Sequence, residues 1–139
     1  MKKLLLSILI FSSINFETFS HVEHYTKYKY LEYELFRNNT LIGFHKFDFD
    51  RKGKDLTIDS EISFKIKKLG IDLYKYYAKG QEKYSDGVFS GFSSTTNQNK
   101  KQKYVNISID KKDKNLIIDG SSYKGKADKD FIIGTWWNH

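Results

Sequence analysis

The chain has 139 residues, 24 Lys+Arg against 17 Asp+Glu, a formal charge of +7, and neither cysteine nor proline. That length supports one domain with a modest core rather than two. The basic balance does not point to nucleic acid, because only Arg37 and Arg51 offer the bidentate fork that reads phosphates and bases, and the remaining cations are lysines interleaved with carboxylates.

Met1-Lys2-Lys3, the apolar run Leu4–Phe11 and the small-x-small ending Thr18-Phe19-Ser20 form the three parts of a secretory signal peptide, residues 1–20. Cleavage after Ser20 starts the mature chain at His21. The apolar run is far shorter than the ~20 residues that cross a bilayer, so no transmembrane span is expected in the mature chain. Export without cysteines points to a bacterial periplasm or cell surface rather than to a disulfide-stapled secreted protein.

From about Leu31 the chain alternates apolar and polar residues. Leu31, Tyr33 and Leu35 alternate with Glu32 and Glu34 until Asn38-Asn39, a pair that tolerates positive φ. A second strand runs from about Thr40 to Arg51, with Leu41, Gly43, His45, Phe47 and Phe49 on one face. The third is the clearest: Leu56, Ile58, Ser60, Ile62, Phe64 and Ile66 face one way, Thr57, Asp59, Glu61, Ser63, Lys65 and Lys67 the other. In the fourth, the apolar parity switches near Leu73-Tyr74, which predicts a bulge. Asp86-Gly87 closes it with a two-residue hairpin signal. Strands over Val88–Asn97, Tyr104–Asp110 and Asn115–Asp119 follow, with Asn97–Lys103 as a solvated tip. The expected fold is all-β, a single antiparallel meander sheet of six to eight strands curled into an open or half barrel. A two-layer β-sandwich is the alternative.

Few residues carry chemistry. His45 shares a parity with Phe47 and Phe49, so a core imidazole is the plain reading and a general base the sharper one. Gly43, two positions earlier, permits a bulge or a close backbone approach. Most strand carboxylates fall on the opposite face, so no triad can be drawn. His21 and His24 are weak metal candidates: an N-terminal α-amine and two imidazoles would suit copper. Ser121-Ser122-Tyr123-Lys124 has the serine–lysine spacing of penicillin-recognising enzymes but sits among turn residues, not on a helix. No cofactor motif occurs. Tyr74, Tyr76, Tyr77 and Tyr84, with Trp136 and Trp137, form either an aromatic β-core or the lining of a partly wet groove.

Ile42-Gly43-Phe44-His45-Lys46-Phe47, the tyrosines at 74–77 and Gly134-Thr135-Trp136-Trp137-Asn138 together resemble an uncharacterised family of exported bacterial proteins, known only as a domain of unknown function. The resemblance covers roughly residues 28–139, and Gly134 replaces the small hydroxyl residue of that family. It implies no activity. It marks Gly43, His45, Trp137 and Asn138 as positions to test, and it implies further sequence after the Trp-Asn pair. A cut edge and an exposed indole are accordingly expected near the C-terminus. The functional expectation is a non-enzymatic periplasmic or envelope β-domain holding a lipid, peptide or other amphipathic ligand in a groove near Gly43, His45, Phe47, Phe49, Tyr74, Tyr76 and Trp136. The alternatives are an enzyme built on His45 or His21, a hydrolase or a copper enzyme, and a purely structural envelope role.

Overall fold

Alternation of apolar and polar residues requires a surface with one covered and one wet side, and the strands supply it. The computed structural model describes residues 25–131, which hold eight strands: β1 (Tyr30–Arg37), β2 (Thr40–Lys52), β3 (Asp55–Lys68), β4 (Ile71–Ser85), β5 (Val88–Gln98), β6 (Lys101–Ile109), β7 (Leu116–Gly120) and β8 (Lys124–Ala127). They pair in chain order, every neighbour antiparallel, as one meander that does not close into a barrel. No second sheet is found among the described residues, so the sandwich alternative is set aside.

Turn chemistry drives the reversals. Asn38, Asn39, Asp86 and Asn99 take left-handed φ of 48° to 60°, conformations that short polar side chains tolerate. Three bulges bend the strands. Registers jump from Leu35–Gly43 to Phe36–Leu41, from Ile66–Tyr74 to Lys67–Asp72, and from Lys83–Gly91 to Tyr84–Phe89. These jumps leave Ile42, Leu73 and Ser90 without an opposite residue, and the second is the bulge foretold by the parity switch. Each adds local twist and bend to the sheet.

Register sorts the residues into two faces. The apolar face carries Leu31 and Tyr33 of β1, Gly43 to Phe49 at alternate positions of β2, Leu56 to Ile66 of β3, and Tyr74, Tyr76 and Tyr84 of β4. The opposite face carries cross-strand polar pairs such as Glu32–Lys46 at 3.9 Å and Asp59–Gln81 at 2.8 Å.

The core is confined to one end of the apolar face. Phe47, Phe49, Leu56, Ile58 and Tyr84 form a buried cluster, against which Tyr25, Leu31 and Phe89 pack. Its lid is the segment before β1. The Tyr25 ring stacks on Phe49 at 6.1 Å, the Phe49 amide donates to the Lys29 carbonyl at 2.9 Å, and the Arg51 guanidinium donates to the carbonyls of Tyr28 and Tyr25 at 2.8 and 2.9 Å. Burying side chains of this size contributes about 1.5–3 kcal/mol each, so five residues and their lid carry a large part of the stability.

Candidate binding face

The face continues past this core without comparable cover. Beyond Phe47 on β2 come His45, which is still buried, and then Gly43; beyond Ser60 on β3 come Ile62, Phe64 and Ile66, and β4 adds Ala78, Tyr76 and Tyr74 in register with them. Phe64, Tyr76 and Tyr74 form a triangle of rings, with Phe64 5.2 and 5.8 Å from the two tyrosines and those 6.5 Å from each other, and all three are half-buried. Six residues named by the sequence, Gly43, His45, Phe47, Phe49, Tyr74 and Tyr76, therefore share one face. They divide between its two halves. Phe47 and Phe49 are buried core under the lid, whereas Tyr74 and Tyr76 border open space. Tyr77 projects from the polar face, where Lys79 lies 5.9 Å from its ring, and does not join the other tyrosines.

Gly43 sets the shape of the open half. A Cβ there would lie 1.9 Å from the Ser63 carbonyl oxygen and 2.6 Å from Phe64 Cα, so only glycine permits this approach of β2 to β3. The β2–β3 ladder runs from Lys52–Asp55 to Gly43–Phe64 and stops there, although β2 begins at Thr40 and β3 extends to Lys68. The two strands fork. A groove of about 690 Å³ opens in the fork, with Leu41, Ile42, Ile66 and Leu73 as its apolar lining and Arg37, Lys65, Lys67 and Lys68 as its cations. Its volume falls in the range of sites that hold small organic ligands.

His45 lies in the packed part of the face. Its ring centroid is 4.2 Å from that of Phe47, and its cross-strand neighbours are Tyr33 and Ile62. Burial holds its pKa below the ordinary histidine value. The carboxylates flanking this row, Glu32 and Glu61, pair with Lys46 and Lys79 on the other face.

One polar residue of the apolar face was missed in the sequence. Glu82 is only 3% exposed, and its carboxylate accepts a hydrogen bond from the Tyr84 hydroxyl at 3.0 Å. Counting in twos from Tyr74, the first residue after the bulge, reaches Tyr76, Ala78, Gly80, Glu82 and Tyr84, so the signal was present. Glu82 stands opposite Ile58, which stands opposite Phe49. His45 is four residues from Phe49, about 13 Å along β2, and two strands from β4. The sheet does not bring the two together as a proton-transfer pair.

The serine–lysine spacing dissolves in the same way. Ser121 is in a bend where its hydroxyl accepts from the Tyr104 amide at 2.7 Å, and Lys124 opens β8 and pairs with Asp119 at 2.7 Å. No group of three or more His, Asp or Glu is placed to hold a metal among the described residues, and none of their helices is long and apolar enough to cross a membrane. His21, His24, Gly134, Trp136, Trp137 and Asn138 lie outside the described residues, as do the signal-peptide segment and the expected C-terminal edge.

Comparison with curated proteins and with solved structures gives no match. The family described as Domain of unknown function (DUF6134) matches residues 33–139, from β1 through the whole sheet and beyond it. The chain belongs to that family.

Proposed function

We propose that this chain is an exported, non-enzymatic β-domain that holds an apolar or amphipathic ligand on the open half of its apolar face. The observation that carries the reading is the division of that face. One half is sealed by Tyr25 and the Arg51-anchored lid, while the other presents half-buried Phe64, Tyr74 and Tyr76 beside a fork with aliphatic and cationic lining. Aromatic rings with a polar tip suit a ligand that is part oily and part wet. Export rests on the N-terminal sequence, residues 1–20, and its destination is the periplasm or the cell surface. Enzyme readings have less support, since His45 is packed against Phe47 and lies several strand positions from Glu82.

Native mass spectrometry of the gently purified protein tests the proposal, together with melting curves across a panel of fatty acids, lysolipids and apolar peptides. The expected outcome is a retained lipid-sized mass or a ligand-dependent rise in Tm. A clean apo mass with no shift from any member of the panel overturns it.

A further inference from the structure

The end of the sheet that carries the fork also carries the turn between β3 and β4, and that turn breaks the pattern of the others. Leu69 occupies a left-handed position, φ 51°, and is 93% exposed. The other left-handed positions among the described residues are glycines, Asn38, Asn39, Asp86 and Asn99, which adopt this conformation at low cost, and the polar Lys100 and Lys114, so Leu69 is the one apolar side chain held there. Stability alone favours Asn, Asp or Gly at position 69, because leucine there strains the backbone and buries nothing.

Other apolar side chains gather at the same end. Ile71 and Leu73 follow the turn, Phe36 and Leu41 flank the neighbouring β1–β2 turn, and each is more than half exposed. Cations surround them. Arg37, Lys65 and Lys68 have no ion pair among the described residues, and Asp72 is already engaged by Lys75 at 2.6 Å and by Lys67 at 3.8 Å. At the opposite end, Lys54 is paired to Asp86 and Lys52 to Asp50, both at 2.8 Å, and the cations there without an ion pair among the described residues, such as Lys111 and Lys112, are not accompanied by a comparable group of exposed apolar side chains.

From this juxtaposition we infer that the fork end of the sheet docks on an anionic lipid bilayer, with Leu69 and its apolar neighbours entering the headgroup region while Arg37, Lys65 and Lys68 meet lipid phosphates. Apolar side chains ringed by basic ones are the composition of an interfacial membrane contact. A bilayer fits better than a single bound amphiphile because Leu69 stands on the turn and is not part of the groove lining. The inference extends the ligand reading but stands independently of it.

The test is co-sedimentation of the mature chain, starting at His21, with phosphatidylcholine vesicles, with and without phosphatidylglycerol. Binding is expected with phosphatidylglycerol only, and it should weaken as salt is added. Leu69→Asn should reduce affinity about 10- to 100-fold, the value of one large aliphatic side chain withdrawn from an apolar phase. It should leave Tm unchanged or raised, since Asn relieves the strained φ. Lys65→Gln with Lys68→Gln should cost about 30-fold. Undiminished binding by Leu69→Asn overturns the inference, as does equal binding to neutral vesicles. Binding lost in Trp136→Ala/Trp137→Ala but kept in Leu69→Asn also overturns it, by placing the contact in the C-terminal segment, and uptake of dispersed lysolipid without vesicle binding does so by leaving only a ligand site. Loss of vesicle binding in Leu69→Asn with the groove ligand still seen by native mass spectrometry supports this inference and leaves the ligand reading intact. A clean apo mass with no Tm shift across the panel, but with vesicle binding retained, refutes that reading alone.

Discussion

Replacing Gly43 by alanine adds one methyl group at the point where β2 and β3 come closest. Its ideal position is 1.9 Å from the Ser63 carbonyl oxygen and 2.6 Å from both Phe64 Cα and Phe64 Cβ. Two of these three atoms are backbone, so no rotamer change can clear the space. The strands must separate by more than an ångström at the last rung of their ladder, with β1 and β4 pulling on the other edges. Overpacking of this kind costs about 1–3 kcal/mol when side chains yield, and rigid neighbours place Gly43→Ala at or above the top of that range. Alanine recovers about 0.4–1 kcal/mol by restricting the unfolded chain. The expected net loss is about 2–3 kcal/mol, or roughly 10–20 °C in Tm for a domain near 100 residues. Gly91→Ala is the matched control. It lies in β5, its Cβ would meet only the Ile107 carbonyl oxygen at 3.5 Å, and it has no positive φ. Only the gain should remain there, leaving that variant equal to or slightly more stable than the parent. Urea unfolding of the three proteins with a common m value reads both numbers. The same small effect at both sites would refute the close-approach account of Gly43.

His45 predicts a pH dependence with a definite sign. Burial keeps its folded-state pKa below the ordinary value, so the folded protein holds the imidazole neutral while the unfolded chain takes up a proton. The contribution is fully present above the unfolded pKa and is lost progressively as pH falls from there toward the folded value. The stability difference between the parent and His45→Phe should therefore move against the parent between about pH 7.5 and 5.5, and a flat difference, read by denaturation at both ends, would contradict it. Tyr84→Phe removes the hydroxyl donor to the buried Glu82 carboxylate and should cost about 1.5–3 kcal/mol. A double-mutant cycle with Glu82→Gln should return a clear coupling, and strict additivity would mean that the contact carries no energy. Arg51→Met keeps the apolar stem but loses both bonds to the lid carbonyls, at a cost of roughly 1–2 kcal/mol. Hydrogen exchange at the Phe49 amide, whose acceptor is Lys29, should accelerate, and unchanged protection would show that the lid does not depend on Arg51.

The sheet was legible because its information is local. Period-two alternation in Leu56–Ile66 gave the two faces directly, Asp86-Gly87 and Asn38-Asn39 gave reversals, and the broken parity at Leu73-Tyr74 gave a bulge that the register confirms. The bulges at Ile42 and Ser90 left weaker traces, as did the four-residue strand β8, which holds Gly125 and two lysines and has little apolar pattern. Features that depend on distant pairs were not legible. The lid rests on Arg51 reaching carbonyls 23 and 26 residues away, and nothing near position 51 announces that. The fork is a statement about where a ladder ends, and flanking alternation continues through Leu41 and Ile66 as though pairing did too. Glu82 was recoverable by carrying the parity through the bulge, but a carboxylate surrounded by Gln81 and Lys83 blends into a polar stretch.

The two ends of the sheet answer to different demands. At the end with Asp86-Gly87 most local preferences agree with the fold, Lys114 with its left-handed φ being an exception: Asp86 and Gly87 suit their φ, Lys52 and Lys54 are paired, and the aromatic core is closed by an anchored segment. Agreement of this kind at every level specifies a structure. At the other end the same chain places leucine in a left-handed turn, leaves cations without partners, spreads β2 from β3 beyond Gly43 and exposes five large apolar side chains. None of these features lowers the free energy of the isolated fold. A sequence that obeys turn, charge and burial preferences at one end had the means to obey them at the other, for instance with Asn at position 69. Departures gathered at one end are better explained by a shared external demand than by independent local accidents, and side chains that are both oily and basic narrow that demand to something amphipathic and anionic.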